Sequence, residues 1–226
     1  QTVEVSESRG SAVQTDQQAT PAEAVLTGRV NAPSSALEQE AKDFALDVPV
    51  RNITIETSLY SAVLSSSGAR LTSFELKEYR ATADPQSAMV QLVQADSLRY
   101  ATLPTVGTEG FSLPEDAPYK IDFNNNFMEL SGGESQSLQF RSVTPTGLEV
   151  IKTFVFKDGH YSIDLQTSIR NQAQGPLTGR FDIALIKYWD DDAERDAYSF
   201  AGPATLVNGK IDEVKVKKLK EEAVTY

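Results

Sequence analysis

From Val50 onward the apolar residues recur at every second position in short runs broken by turn residues. This alternation constrains the fold more than any other feature of the chain. In Val50 to Arg80, VRNITIETSLYSAVLSSSGARLTSFELKEYR, Ile53, Ile55 and Thr57 share one face while Thr54, Glu56 and Ser58 share the other. Val63 and Leu64 run into SSSGA, where Gly68 suits a bend with positive φ, and the alternation resumes from Leu71 to Tyr79. A period of two sends successive side chains to opposite faces of a pleated strand, so the segment reads as strand, bend, strand, bend, strand.

The same reading continues along the chain. Ala81 to Gln86 is a loop with Asp84-Pro85 turn chemistry, Met89 to Val93 a short strand and Leu98 to Leu103 a weaker one. Pro104 to Pro118 reads as loop, Tyr119 to Phe123 as strand, and Asn124-Asn125-Asn126 and Gly132-Gly133 as turns. Ser137 to Val143 alternates, with Leu138 and Phe140 on one face. The strongest local signal is Gly147 to Asn171. Leu148, Val150, Phe154 and Phe156 share a face, Ile151 and Val155 take the other, and Asp158-Gly159 predicts a two-residue hairpin turn. After it, Tyr161, Ile163, Leu165, Thr167 and Ile169 alternate with polar residues, so one strand is expected buried on both faces and its partner wet on one. Gly175-Pro176 turns into a strand over Leu177 to Trp189. An acidic loop, Asp190 to Asp196, the Asn208-Gly209 turn and a last strand from about Lys210 to Val216 follow. Many short strands without a long helical period predict an all-β antiparallel sandwich with few short helices.

Residues 1–48 are rich in Gln, Ser, Ala, Thr and Glu and read as a polar tether, leaving 49–226 as one β domain. Within the tether lie a short apolar patch, Ala24 to Leu26, and a weakly helical stretch, Ala36 to Leu46, whose alternative is to dock on the domain. The net charge of −11 disfavours nucleic acid and broad adsorption to anionic lipid. Without cysteine the fold has no disulfide and no thiolate metal site. No run reaches the ~20 apolar residues that span a bilayer. Gln1 begins inside a polar segment, so a targeting or anchoring segment is expected upstream.

Chemical motifs are scarce. His160 is the single histidine, which rules out paired-imidazole catalysis and multi-histidine metal sites; it reads as a surface residue beside a turn. Asp190, Asp191, Asp192, Glu194 and Asp196 lack the spacing of a calcium loop and read as solvated. Neither a serine-hydrolase elbow nor a phosphate-cradling loop occurs. Tyr188, Trp189, Tyr198 and Phe200 flank the acidic loop and are candidates for lining an apolar or sugar-stacking cleft, against ordinary core and rim aromatics. Lys215, Lys217, Lys218 and Lys220 form the one basic cluster. Lys215 and Lys217 are expected on one strand face, as partner or lipid contacts against a plain solvated face.

The order of three segments resembles the large periplasmic domain of the YidC membrane-protein insertases. They are the Val50 to Tyr79 block with Leu59-Tyr60, Gly68-Ala69 and Leu76-Lys77-x-Tyr79, the strand pair FVFKDGHYSIDLQTSIRN, and YSFAGPATLVNGKIDEVKVKKLK from Tyr198 to Lys220. The resemblance implies a β-supersandwich, the architecture of galactose mutarotases, at the periplasmic face of the bacterial inner membrane. It implies a transmembrane helix before Gln1 and the inserting helices after Tyr226. It also implies a non-catalytic role without cofactor or metal. The implied contacts are with the SecD-SecF accessory complex of the Sec translocon and with nascent membrane proteins, and at most weakly with the membrane surface. The competing readings are a carbohydrate- or small-ligand-binding sandwich without epimerase activity, since mutarotases use paired histidines, and a chaperone surface with an exposed apolar cleft.

Overall fold

The alternating segments are strands. The computed structural model describes residues 24–26, 48–94, 100–187, 203–221 and 223–224. Among them run β1 (Ala24–Leu26), β2 (Asn52–Glu56), β3 (Tyr60–Ser65), β4 (Arg70–Arg80), β5 (Met89–Gln94), β6 (Thr105–Thr108) and β7 (Lys120–Ile121). They continue with β8 (Phe127–Glu129), β9 (Ser135–Val143), β10 (Leu148–Lys157), β11 (Asp164–Asn171), β12 (Leu177–Ile183), β13 (Ala204–Val207), β14 (Lys210–Glu213) and a short helix, α1 (Val216–Glu221). No helix among the described residues is long and apolar enough to cross a membrane.

The chain divides into two compact units, Gln1–Tyr188 and Trp189–Tyr226. The first holds a five-stranded sheet, β5-β4-β3-β2-β8, a four-stranded sheet, β11-β10-β9-β7, and a three-stranded sheet, β1-β12-β6. The second holds the β13-β14 hairpin and α1. Asn208 and Gly209 both take positive φ there, as a tight hairpin turn between Val207 and Lys210 demands.

The inward faces of the two larger sheets make one core. Ile53 and Ile55 of β2, Tyr60 and Leu64 of β3 and Phe74 of β4 join Leu138 and Phe140 of β9 and Leu148, Val150, Phe154 and Phe156 of β10. Each contributes about 1.5–3 kcal/mol by leaving water. Tyr60 stacks on Phe74 with centroids 4.5 Å apart, and Phe140 meets Phe154 edge-on at 5.6 Å. Gly68 makes the β3-β4 bend at φ 76, and a Cβ there would lie 2.1 Å from the Glu115 carbonyl oxygen. Only glycine fits both demands.

Several expectations change. Pro104 to Pro118 is not all loop, because β6 forms by pairing with β12. Phe111 packs onto Gly179 so closely that a Cβ would sit 2.5 Å from its ring, so tertiary contact rather than propensity holds this strand. Asp158-Gly159 does not close a two-residue hairpin, since the β10-β11 ladder ends at Val155 opposite Asp164. The Asp158 carboxylate is drawn aside by the backbone amides of Ser58, at 2.8 Å, and Gly133, at 3.1 Å. The outer face of β10 is half-buried at Ile151 and Val155 rather than buried, and Tyr119 to Phe123 yields only the two-residue β7. β8 runs parallel to β2, the exception among the described strand pairs, which are otherwise antiparallel. The asparagine turn before it is gathered by Arg51, whose guanidinium donates to the carbonyls of Phe123, Asn124 and Asn125 and to Asn126 Oδ1. The expected Leu98 to Leu103 strand reduces, among the described residues, to a bridge between Thr102 and Leu71. β12 stops at Ile183, beyond which Leu185 is 85% exposed. The last strand stops at Glu213, and the lysine-rich residues after it coil into α1. Ala24–Leu26, inside the expected tether, pairs with β12.

Candidate functional site: an apolar groove beside a buried ammonium

β4 is longer than the core needs. Phe74 and Leu76 point inward, but toward the end of the strand Tyr79 is 53% exposed. Its neighbour β5 skips a pairing position at Leu92, between Gln91 opposite Glu75 and Val93 opposite Phe74. A bulge of this kind bends a strand and re-aims the extra side chain. Leu92, 51% exposed, thus borders an open groove of about 410 Å³. Tyr161 and Ile163 from the β10-β11 loop, Leu103 and Leu185 complete its walls. Among the described residues no acidic or basic side chain lines it. At its end the Tyr161 hydroxyl donates to Glu78 Oε2 at 3.0 Å, and the Tyr161 ring meets Tyr79 edge-on. Burial first, then the Glu78 carboxylate, push the Tyr161 phenol up to about 12, so it remains a donor. A contiguous exposed apolar surface with a polar rim suits recognition of apolar side chains. Its described lining holds no acid–base pair.

Beside the groove lies a charge that sequence reasoning missed. Lys152 sits in the inward register of β10 between Val150 and Phe154 and is fully buried. Its Nζ donates to the carbonyls of Ala69 at 2.7 Å and Leu103 at 2.6 Å, with Gly68 O at 3.4 Å, and lies 5.5 Å from the Phe154 ring centroid. Ala69 and Leu103 both hold positive φ, so the ammonium ties two strained peptides, one of them in the groove wall. Burial, and secondarily the nearby Arg70, lower the Lys152 pKa from 10.5 to about 7. The two short bonds need only the two N–H groups of a neutral amine, and the long third bond is the one given up on deprotonation. A lysine at an inward position of a strand is the signal that would have found it.

Asp158 fixes the loop that carries Tyr161. Hydrogen bonds from Ser58, then from the Gly133 amide, hold its carboxyl down at about 2. This support is present above the ordinary carboxylate pKa and is lost as pH falls from about 4 through about 2.

The residues singled out from sequence lie elsewhere. Tyr188, Trp189, Tyr198 and Phe200, and the acidic loop Asp190 to Asp196, fall outside the described residues. Lys215 precedes α1, and Lys217, Lys218 and Lys220 lie on it, all exposed. The expected strand face shared by Lys215 and Lys217 does not exist, because helical turns replace the pleat there; Lys218 and Lys220 fall in the last turn, where cations favour the helix dipole. His160 is exposed on its turn.

A family model described as the YidC periplasmic domain matches residues 52–226. The membrane protein insertase YidC of Geotalea uraniireducens is 31% identical over 183 residues, 80% of this chain and 34% of that protein. That of Citrifermentans bemidjiense is 29% identical over 177 residues, 78% of this chain and 32% of that protein. That of Syntrophus aciditrophicus is 29% identical over 171 residues, 75% of this chain and 31% of that protein. The chain thus spans about a third of the length of the curated relatives it matches.

Proposed function

The chain belongs to the YidC periplasmic-domain family, and on that premise we propose that it is a non-catalytic docking module of a membrane-protein insertase. In this reading it stands at the periplasmic face of the inner membrane and contacts the SecD-SecF accessory complex and segments of client proteins. The observation that supports it is the open groove, which is apolar, uncharged along its lining and formed by side chains that a folded core would ordinarily cover. The exposed lysines Lys215 and Lys217 add a patch of one sign to an acidic protein, which steers encounter more than it adds affinity.

The test is binding of purified SecD-SecF to the immobilised chain across a salt series. Salt-sensitive binding is expected, with slower association after Lys215→Glu and Lys217→Glu together. No binding at any salt concentration overturns the accessory-complex contact. Each lysine near an anionic surface contributes about 1 kcal/mol within a Debye length of about 8 Å, while the net charge of −11 repels the remainder. The isolated chain is therefore expected to stay in the supernatant when anionic vesicles are sedimented at physiological salt. Strong pelleting would make lipid binding a leading role.

A further inference from the structure

The edge of the five-stranded sheet and the groove form one surface. Among the described residues β5 has a single neighbour, β4, and its outward N–H and C=O groups meet none of the other described strands. Natural sheets discourage further strands at such edges with charged side chains, proline or bulges. The β5 sequence, MVQLVQ, has neither charge nor proline, and its bulge turns Leu92 to the groove rather than ending the strand. We propose that β5 and the groove together receive an extended peptide segment of another protein, added as a sixth strand to the sheet. Main-chain hydrogen bonds to β5 hold it, and its alternate apolar side chains fill the groove against Leu92, Tyr79 and Leu185.

Charge selects the occupant. A second copy of this chain brings another −11 to the same edge, whereas a neutral or basic strand meets no such repulsion. At the groove end Glu78, oriented by the Tyr161 hydroxyl, presents a carboxylate to a lysine or arginine of the incoming strand. An aliphatic ligand would fill the groove but leave the β5 edge unpaired.

The biological partner rests on the docking-module reading above; the binding chemistry does not. The test titrates the isotope-labelled 226-residue chain with a synthetic peptide of alternating valine and threonine ended by lysines, and with the same peptide methylated on alternate backbone nitrogens. The expected result is amide shifts confined to β5 and the groove, slowed exchange of β5 amides, and binding at least about tenfold weaker for the methylated peptide. Leu92→Lys and Tyr79→Ser, both at exposed positions, should weaken binding by about as much without moving the unfolding midpoint. Equal affinity for the two peptides, shifts elsewhere, or self-association of the chain through β5 overturns the proposal. Peptide binding without SecD-SecF binding supports the strand site and removes only the proposed partner; SecD-SecF binding with no peptide response does the reverse.

Discussion

β10 and β5 place charge in the opposite way from a simple sheet. β10 runs between β9 and β11 yet carries Glu149 and Lys152, which are 5% and 0% exposed. Among the described strands β5 lies at an edge, and it carries no charge. The central strand keeps its charges because neighbours supply partners. Arg141 Nε lies 2.5 Å from Glu149 Oε1 and Arg170 3.4 Å from its Oε2, while three loop carbonyls surround Lys152. The edge strand, without charge, keeps its pairing capacity. Burial of a charge is thus decided by what loops and flanking strands deliver to it, and exposure of an apolar edge by what is left off it.

The contrast breaks most readily at Lys152. Lys152→Met keeps the volume but leaves the Ala69 and Leu103 carbonyls, which the amine still serves when neutral, without their donor, at about 1.5 kcal/mol each. Urea unfolding at about pH 8 should show a loss of about 3 kcal/mol. A neutral or stabilising result would mean that burial of the amine outweighs its bonds. The same pair carries a pH signature. The folded pKa lies at about 7 and the unfolded value at 10.5, so between them the unfolded chain binds more protons. Wild-type stability therefore gains from this group as pH rises through that window, by up to about 1.4 kcal/mol per pH unit. The gap to Lys152→Met should widen from about pH 7 to about pH 9. A constant gap would place the lysine at its ordinary pKa.

A smaller effect is expected from the loop that holds the ammonium. Gly68→Ala combines positive φ with a contact on the Glu115 carbonyl and should cost about 2–3 kcal/mol in thermal unfolding. A change below about 0.5 kcal/mol would show that the bend relaxes freely. The smallest effect belongs to the edge. Leu92→Lys should alter stability by less than about 0.5 kcal/mol, because half of the side chain already meets water. A loss like that at Lys152 would make β5 a part of the core rather than a free edge.

Legibility follows the range of each interaction. Ile53, Ile55, Leu148, Val150, Phe154 and Phe156 could be placed inward from parity alone, and all are buried. Lys152 shares that parity, so its burial was legible in principle, but its three acceptors were not. They come from positions 68, 69 and 103, far away along the chain. The groove was invisible for a similar reason, since it depends on a bulge at Leu92 and on a loop displaced by Asp158. The last strand is expected to run on to Val216 because Val214 and Val216, with Lys215 between them, fit a period of two, whereas the helix begins at Val216.

By itself the sequence determined the longer strands, β2 to β5 and β9 to β11, their inward faces and the turns at Gly68, Gly132-Gly133 and Asn208-Gly209. Alternation and positive φ are properties of neighbouring residues, set by covalent geometry. Tertiary structure alone decided the parallel pairing of β8 with β2, the formation of β6 against β12, the carbonyl cage of Lys152 and the open edge at β5. Each of these depends on which distant backbone groups arrive at a strand. That is a matter of chain path and loop closure rather than of local preference.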